Sequence, residues 1–219
     1  INGVGTPSYQ WYINTTSNTS TGTQITGETN STYTPSIFSV AGTYFYYCIV
    51  SLSGNGCDNI KSAVATIEVF DDPIVIDPLV TQELCENTTP TDLQVSASGG
   101  IPGSPFTYQW YSNTTNSNSG GTQIIGATNS TYTPPTAAVG TTYYYCTLTL
   151  SGGGGCGQIT SNTAAIIVQL DPSVTLNSTV YQMICVGGTI IAPLEVGYIN
   201  GVGTPSYQWH INTTNSNTG

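Results

Sequence analysis

A repeat with a period of 99 residues is the feature that most constrains how this chain can fold. The string INGVGTPSYQW at residues 1–11 recurs unchanged at residues 199–209, and a diverged copy, SGGIPGSPFTYQW, ends at Trp110. The stretches at residues 22–35 and 121–134 follow in the same phase. A period of this length is too long for a solenoid repeat and fits one β-sandwich domain.

The repeat divides the chain into three segments. Residues 72–170 form a complete copy, residues 1–71 form a copy without its first strands, and residues 171–219 form the N-terminal half of a third copy. Both ends look like cuts through a longer chain. We expect the segment 1–71 alone to expose a sheet edge and to aggregate or borrow strands from a neighbour, whereas 72–170 should fold as a monomer.

The complete copy is predicted to contain seven short strands. Gly, Pro and β-branched residues interrupt every candidate helical window, and turn residues recur at the spacing that is typical of a sandwich. The candidate strands lie at 73–84 (interrupted by Pro78), 92–98, 106–112, 122–128, 130–135, 141–150 and 163–170. The predicted fold class is all-β, with tandem immunoglobulin-like Greek-key β-sandwich domains in a repetitive array.

Alternation with period two assigns the faces of the strands. The predicted core positions, carried through the three copies, are Trp11, Trp110, Trp209, Cys48 and Cys146. The second strand offers no Cys, so the disulfide between strands B and F of antibody-type domains cannot form. Three tyrosines are predicted on the outer face, where they could stack on sugars, pair across strands or contact a neighbouring domain or filament: Tyr111, Tyr143 and Tyr145.

The charge of the chain argues against nucleic-acid and membrane partners. The chain has one Lys, no Arg and eleven carboxylates, which give a formal net charge of −10. A polyanion without a basic patch cannot neutralise phosphates or anionic headgroups. No apolar run approaches the roughly 18 residues of a membrane helix. We therefore expect neither nucleic-acid binding nor membrane insertion.

No arrangement of residues points to catalysis. The only histidine, His210, stands where the other copies have Tyr12 and Tyr111. A base that one copy in three carries is not part of the repeating unit, and no Cys–His pair recurs. The glycines of SGGGG at residues 151–155 lie between two predicted strands and indicate a hairpin turn. We expect a protein that is not an enzyme and has no cofactor.

Four aspartates at the domain junctions are weak candidates for a Ca²⁺ site: Asp71, Asp72, Asp77 and Asp171. Carboxylates are hard oxygen ligands, and a cation between domains would stiffen a rod. The alternative is a Pro-anchored linker, in which Asp precedes Pro73, Pro78 and Pro172 as a turn residue. Because the second junction keeps one Asp, we favour the linker.

The order of the motifs resembles the immunoglobulin-like repeats of giant surface adhesins of the phylum Bacteroidetes, such as the SprB-type gliding adhesins. The resemblance rests on YQWY at residues 108–111, GATNSTYTP at 126–134, the Gly-Thr-x-Tyr-Tyr stretch before Cys146 and Ser-x-x-Ala-x-Ile-x-Val at 161–168. It implies a secreted, repetitive filament on a bacterial cell surface, exported by the type IX system and used in adhesion or gliding. Its partners would be neighbouring repeats, other filaments or surface polysaccharide. The alternative is a carbohydrate-binding or spacer module of a large secreted enzyme.

The six cysteines suggest disulfides, since the protein looks extracellular. Cys146 and Cys156 are separated along a hairpin by four residues at ~3.3 Å each, which exceeds the ~7 Å Cα limit for a bridge. Cys146 is therefore predicted to be a buried thiol. The resemblance implies a Cys85–Cys156 pair. A variant links the Cys after the first strand of one domain to the glycine-turn Cys of the next, which adds the candidates Cys57 and Cys185.

Overall fold

The computed structural model describes residues 5–53, 58–152, 155–176 and 181–214. The chain falls into two compact units. The first comprises Ile1–Ile74, Ser98–Pro105 and Gly152–Gly157, and the second comprises Val75–Ala97, Phe106–Ser151 and Gln158–Gly219. The domain boundaries expected from the repeat, after residues 71 and 170, stay predictions.

The residues described form strands and no helix, as the sequence predicted. The strands are β1 (Pro7–Asn14), β2 (Thr23–Gln24), β3 (Gly42–Leu52), β4 (Ile60–Lys61), β5 (Ala65–Val69), β6 (Ile74–Val75), β7 (Gln82–Cys85), β8 (Leu93–Gln94), β9 (Ala97–Ser98), β10 (Phe106–Asn113), β11 (Thr122–Gln123), β12 (Thr131–Tyr132), β13 (Gly140–Leu150), β14 (Ile159–Thr160), β15 (Ala164–Gln169), β16 (Ser173–Leu176) and β17 (Val196–Ile199). Within these residues there is no helix long and apolar enough to cross a membrane.

The first unit contains one antiparallel sheet. Its strand order is β2-β1-β3-β4, and β5 also pairs with β3. The long central strands β1 and β3 are rich in Tyr, Trp, Ile and Val, which favour strands because their side chains pack well on a pleated surface. Trp11 of β1 lies opposite Cys48 of β3.

The second unit repeats this sheet and extends it. The strand order is β11-β10-β13-β15-β7, with β14 also paired to β13. Trp110 lies opposite Cys146, in the register that Trp11 and Cys48 have in the first unit. The added strand β7 runs parallel to β15, whereas the other pairs in this sheet are antiparallel. A separate small sheet pairs β8 with β12.

The predicted first strand is divided in the structure between two sheets. Its beginning, β6, pairs with β9, and its end, β7, pairs with β15. Pro78 lies between the two halves, and a proline cannot donate a hydrogen bond to a ladder. The interruption predicted at Pro78 is therefore the point at which the chain changes sheets.

The second unit is a β-sandwich, because side chains from both of its sheets meet in one core. The six-stranded sheet contributes Trp110, Tyr144, Cys146, Leu148, Ala164, Ile166 and Val168. The facing segment at β8 contributes Leu93 and Val95, and Leu79, which precedes β7, completes the cluster. In the lettering of immunoglobulin-like domains, the order β11-β10-β13-β15-β7 corresponds to strands C′, C, F, G and A′. The facing strands β8 and β12 correspond to strands B and E. The predicted fold class is confirmed, and Trp110 packs in one core with Cys146 and Leu148 as expected.

The prediction that Trp209 is a core residue is wrong. Its side chain is 56% exposed, and residues 200–214 contain no strand. In the part of the chain that the structure describes, no long strand pairs with the Trp209 segment as β13 pairs with β10. Trp11 is half-buried. It has a long partner strand in β3, but the described residues of its unit contain no counterpart of the small β8–β12 sheet.

Candidate functional site

The Tyr-Gln-Trp-Tyr motif of β10 is the most distinctive cluster of polar and aromatic side chains in the second unit. Trp110 has 0% exposure, and its indole Nε1 donates a hydrogen bond to the Asn129 carbonyl oxygen at 2.8 Å. The ring lies 5.7 Å from that of Tyr132 in β12. Because the ring and its N–H group contact both residues, Trp110 holds the segment that contains β12 against the core.

Gln109 connects β10 with the turn that follows β11. Its Nε2 donates to the carbonyl oxygens of Trp110 at 3.0 Å, Ile124 at 2.9 Å and Ala127 at 3.4 Å. Its Oε1 accepts a hydrogen bond from Gln123 Nε2 at 2.9 Å. Gln109 thus gives these three carbonyls a second donor, besides the backbone amides that also donate to them and join the turn to β10.

Asn113 closes the polar loop at the end of β10. Its Nδ2 donates to the carbonyl oxygens of Ser117 at 3.1 Å and Ser119 at 3.2 Å. Its Oδ1 accepts a hydrogen bond from the Thr115 amide at 3.2 Å. The loop is therefore folded back on one amide side chain, and that side chain is not presented to solvent as a ligand group.

Two of the three outer tyrosines, Tyr111 and Tyr145, form a cross-strand pair, which is one of the arrangements that the alternation left open. Tyr145 is 3% exposed because it stacks on Tyr111, with ring centroids 5.0 Å apart and planes 6° apart, beneath the loop. The Gly121 amide donates to the Tyr145 hydroxyl at 3.1 Å, and a Cβ at Gly121 would lie only 2.7 Å from the Ser112 carbonyl oxygen. Tyr111 and Tyr143 are half-buried. The polar loop covers Tyr145, so this ring does not contribute to an exposed ligand-binding surface.

The first unit builds the same cluster from the same residue types. Trp11 Nε1 donates to the Asn30 carbonyl at 3.0 Å, and Gln10 Nε2 donates to the Ile25 carbonyl at 2.8 Å. Tyr12 stacks on Tyr47 at 5.1 Å with a 7° angle between the rings. Alternation of polarity along the strands assigns no role to these Gln and Asn residues. Their recurrence, at Gln10 and Gln109 and at Asn14 and Asn113, was the signal that could have done so.

Replacing Gln109 by alanine is expected to lower the free energy of unfolding of the second unit by about 0.5–1.5 kcal/mol, because three carbonyls each lose one of two donors and the Gln123 amide loses its acceptor. The matched control is Gln123→Ala, whose exposed amide makes one bond to Gln109. Urea unfolding followed by circular dichroism measures both. Equal effects of the two substitutions would contradict the assigned role of Gln109.

Cys146 and Ser161 form the polar part of the core. Both side chains are almost fully buried. The Cys146 amide donates to Ser161 Oγ at 3.0 Å, and that hydroxyl donates to the Asn162 carbonyl at 2.8 Å. Burial raises the pKa of the Cys146 thiol from its ordinary value of 9.0 to about 12. The thiol therefore stays protonated at neutral pH, which makes it a poor nucleophile.

The thiol of Cys146 is expected to resist alkylation by iodoacetamide at pH 8.5, while the exposed Cys185 reacts. Burial favours the protonated thiol over the thiolate in the folded state. The stability that depends on this protonated thiol is therefore fully present below pH 9. It is lost as the pH rises towards 12, because the thiol ionises at a lower pH in the unfolded chain. Timed labelling with peptide mapping by mass spectrometry measures the reaction. Labelling of Cys146 at the rate of Cys185 in folded protein would contradict its burial.

The predicted Cys85–Cys156 disulfide is not present. Cys48, Cys85, Cys146, Cys156 and Cys185 are free thiols. Cys85 belongs to β7 of the second unit, whereas Cys156 groups with the first unit. Cys57 lies outside the described residues, and the variant that links successive domains stays a prediction.

The remaining candidates have ordinary surroundings. Asp77 accepts a hydrogen bond from Ser96 Oγ, and the Asp71 carbonyl accepts one from the Gly100 amide at 2.8 Å. Asp72, Asp171 and His210 are exposed. Among the described residues, no group of three or more His, Cys, Asp or Glu side chains could hold a metal ion.

Residues 79–170 match a family described as a domain of unknown function (DUF8696). A search of curated proteins found no match. Among solved structures, the chain is similar to Sidekick-1 immunoglobulin domains 1–5, with 20% identity and a TM-score of 0.35 over 78% of this chain and 36% of that chain.

Two further solved structures are similar at the same level. Fibronectin(III)-like modules of CbhA from Clostridium thermocellum share 17% identity and a TM-score of 0.34, over 74% of this chain and 77% of that chain. Extracellular domains 3–5 of Drosophila OTK share 19% identity and a TM-score of 0.33, over 77% and 56%. The chain thus spans about a third to a half of the Sidekick-1 and OTK structures it matches. The core and strand order of the second unit define this protein as an immunoglobulin-like β-sandwich repeat.

Proposed function

We propose that this chain is a structural and adhesive segment of a long, repetitive filament on a bacterial cell surface, and that it has no catalytic activity. The observation that carries the proposal is the repeated Tyr-Gln-Trp-Tyr cluster. In both units the Trp and Gln side chains of this motif hydrogen-bond to backbone of their own unit. Such a module provides shape and spacing, and it offers a surface for adhesion without reactive groups.

The arrangement of β7 and β15, which lie near the two ends of residues 72–170, supports a mechanical role. β7 lies beside β15 and runs parallel to it, with Gln82 opposite Ile166 and Cys85 opposite Gln169. Opposed forces on the two ends of residues 72–170 would therefore act along these strands and load their hydrogen bonds together, in shear. Bonds loaded together resist force better than bonds opened one at a time.

Further hydrogen bonds reinforce this strand pair. Asn162 binds the backbone of Leu79 twice, accepting from its amide at 2.8 Å and donating to its carbonyl at 2.9 Å. The Ala165 amide donates to Thr81 Oγ1 at 3.1 Å. We call β7, β15 and these contacts the terminal clasp. The clasp connects the beginning of residues 72–170 with their end, as a segment under tension requires.

Single-molecule force spectroscopy on the full chain tests the mechanical part of the proposal. Asn162→Ala removes two bonds of the terminal clasp and is expected to lower the unfolding force of the second unit. The matched control, Asn113→Ala, removes two donor bonds in a loop outside the clasp and should leave that force nearly unchanged. Equal loss of force in both variants would contradict a force-bearing clasp.

Adhesion is tested on cells of the source bacterium. Fab fragments raised against residues 72–170 should label intact cells and should reduce attachment to a surface under flow several-fold. Labelling that requires permeabilised cells, or a hydrolase that co-purifies on the same polypeptide, would favour the secreted-enzyme alternative. The resemblance to the repeats of Bacteroidetes adhesins supports export by the type IX system and a role in gliding, which the motility of cells treated with the Fab fragments would test.

A further inference from the structure

The strand that contains β8 has a free backbone edge in the second unit. The Val95 amide donates to the Ser130 carbonyl at 3.0 Å, on the side of β12. The Ser96 carbonyl accepts from the Ile76 amide at 3.1 Å, on the opposite side. Because the backbone groups of successive strand residues point to opposite sides, the amide and carbonyl of Gln94 point to the side of Ile76. Among the described residues, no hydrogen-bond partner takes up these two groups.

The free edge exists because the first strand leaves this sheet at Pro78. Before the proline, Ile76 is still bonded to the strand of β8, and after it the chain runs in β7 beside β15. The space beside Gln94 that the departing strand leaves is a groove of about 470 Å³, which we call the strand-switch groove. Both of its walls, at residues 77–82 and 91–94, belong to the complete repeat copy. The change of sheets therefore leaves one strand position empty next to β8.

Two carboxylates stand at the rim of the strand-switch groove. Asp77 and Asp92 both line it, and both are exposed. Ser96 Oγ donates a hydrogen bond to Asp77, and Thr133 Oγ1 donates one to Asp92. A carboxylate can accept about four hydrogen bonds, so each retains acceptors for a cationic group. The described residues that line the groove include no basic side chain, so its charge is negative.

The remaining walls of the groove are apolar and already ordered. Leu79 and Leu93 line it from the core and are 6% and 2% exposed, whereas Val80 is 70% exposed. Gln82 fixes one end, because its Nε2 donates to the Thr91 carbonyl at 2.7 Å and its Oε1 accepts from the Thr91 amide at 2.8 Å. These contacts hold the walls in place, so a ligand would meet a largely preformed groove.

An extended peptide is the ligand that matches these features. A peptide backbone offers a donor and an acceptor at the spacing of the Gln94 amide and carbonyl, as in the addition of a strand to a sheet edge. Side chains of an added strand would alternate between the side of the buried Leu93 and the side of the exposed Asp92. Apolar residues suit the first side and basic residues suit the second. Another copy of this chain cannot supply that pattern, because the chain has one Lys and no Arg.

We propose that the strand-switch groove binds an extended, basic segment of another protein, which joins β8 as an additional strand. Its backbone would bond to Gln94, its apolar side chains would cover Val80, and its lysines or arginines would pair with Asp77 and Asp92. Charge pairs at an exposed rim are weak and are screened by salt, so binding should be modest and salt-dependent. The inference stands on the strand edge of the second unit and does not depend on adhesion to a surface or on mechanical load.

Fluorescence anisotropy with the purified full chain and a labelled peptide of alternating lysine and valine tests the proposal. The wild-type chain is expected to bind this peptide, several-fold more weakly at high salt. Asp77→Asn combined with Asp92→Asn keeps both hydroxyl contacts, removes the charges and should weaken binding several-fold. The matched control, Asp171→Asn combined with Glu195→Gln, removes the same charge from exposed positions outside the groove and should bind like the wild type.

N-methylation of the probe peptide separates strand addition from attraction of charge alone. Two isomers, methylated at every lysine amide or at every valine amide, have the same charge. Only one of them has its methyl groups on the edge that faces β8, so one isomer should lose binding and the other should retain it. The Gln94 amide should also become protected from hydrogen exchange when the unmodified peptide binds. Failure of the wild-type chain to bind would overturn the proposal. Equal binding of both isomers, or equal loss in the two double variants, would also overturn it.

Discussion

Replacing Trp110 by alanine is expected to lower the free energy of unfolding of the second unit by about 3–5 kcal/mol. The ring has 0% exposure in a core shared by both sheets, and its N–H group is bonded to the Asn129 carbonyl. The substitution leaves a large cavity and an unpaired carbonyl at once. Natural domains have a free energy of unfolding of about 5–15 kcal/mol, so the substitution would remove a large part of the stability of the unit.

The repeat supplies matched controls for this substitution. Trp11→Ala acts on a half-buried ring and should cost less, and Trp209→Ala acts on an exposed ring and should cost almost nothing. Urea unfolding by circular dichroism gives the free energies, and hydrogen exchange of β13 and β3 assigns each loss to a unit. An effect at Trp209 as large as that at Trp110 would contradict the burial assigned to both.

Replacing Ser161 by alanine is expected to lower the stability of the second unit by about 1–3 kcal/mol. The substitution leaves the Cys146 amide, in the middle of β13, without its acceptor in a buried position. The control is Ser62→Ala in the first unit. Ser62 makes the same two bonds, from the Cys48 amide at 2.9 Å and to the Ala63 carbonyl at 2.7 Å, but its side chain is exposed.

Water can replace the hydroxyl at Ser62, so that substitution should cost only a few tenths of a kcal/mol. The same unfolding measurements compare the two variants. If Ser62→Ala destabilised its unit as much as Ser161→Ala, the cost would come from the bond geometry and not from burial. That result would contradict the explanation that burial makes Ser161→Ala the more costly substitution.

The strands of the second unit could be predicted because their signals are local. Alternation along 106–112 and 141–150 placed β10 and β13 within a residue or two, and Pro78 marked the change of sheet. The inward position of Trp110 follows from the same alternation. These features depend on chain geometry and on the polarity of neighbouring residues, which a sequence contains.

Contacts between distant segments could not be predicted in the same way. Alternation places Tyr145 on the outer face, but the loop that covers it returns through Gly121, 24 residues earlier. The roles of Gln109 and Asn113 depend on where turn carbonyls lie after folding. Cys85 and Cys156 were paired by resemblance, and the structure assigns them to different units. The deciding contacts of Tyr145 and Gln109 join residues 15–24 positions apart, whereas those of Asn113 lie within a loop whose path is set only on folding.

By itself, the sequence determined the period of the repeat, the all-β class and the residues that can face a core. Only the tertiary structure decided whether that core exists in each copy. TPSYQW lies in or beside β1 at residues 6–11, where β3 pairs with it, and forms no strand at residues 204–209. NSTYTP forms β12 only where β8 is its partner. A strand needs another strand for its backbone hydrogen bonds, and a side chain is buried only when a second layer covers it.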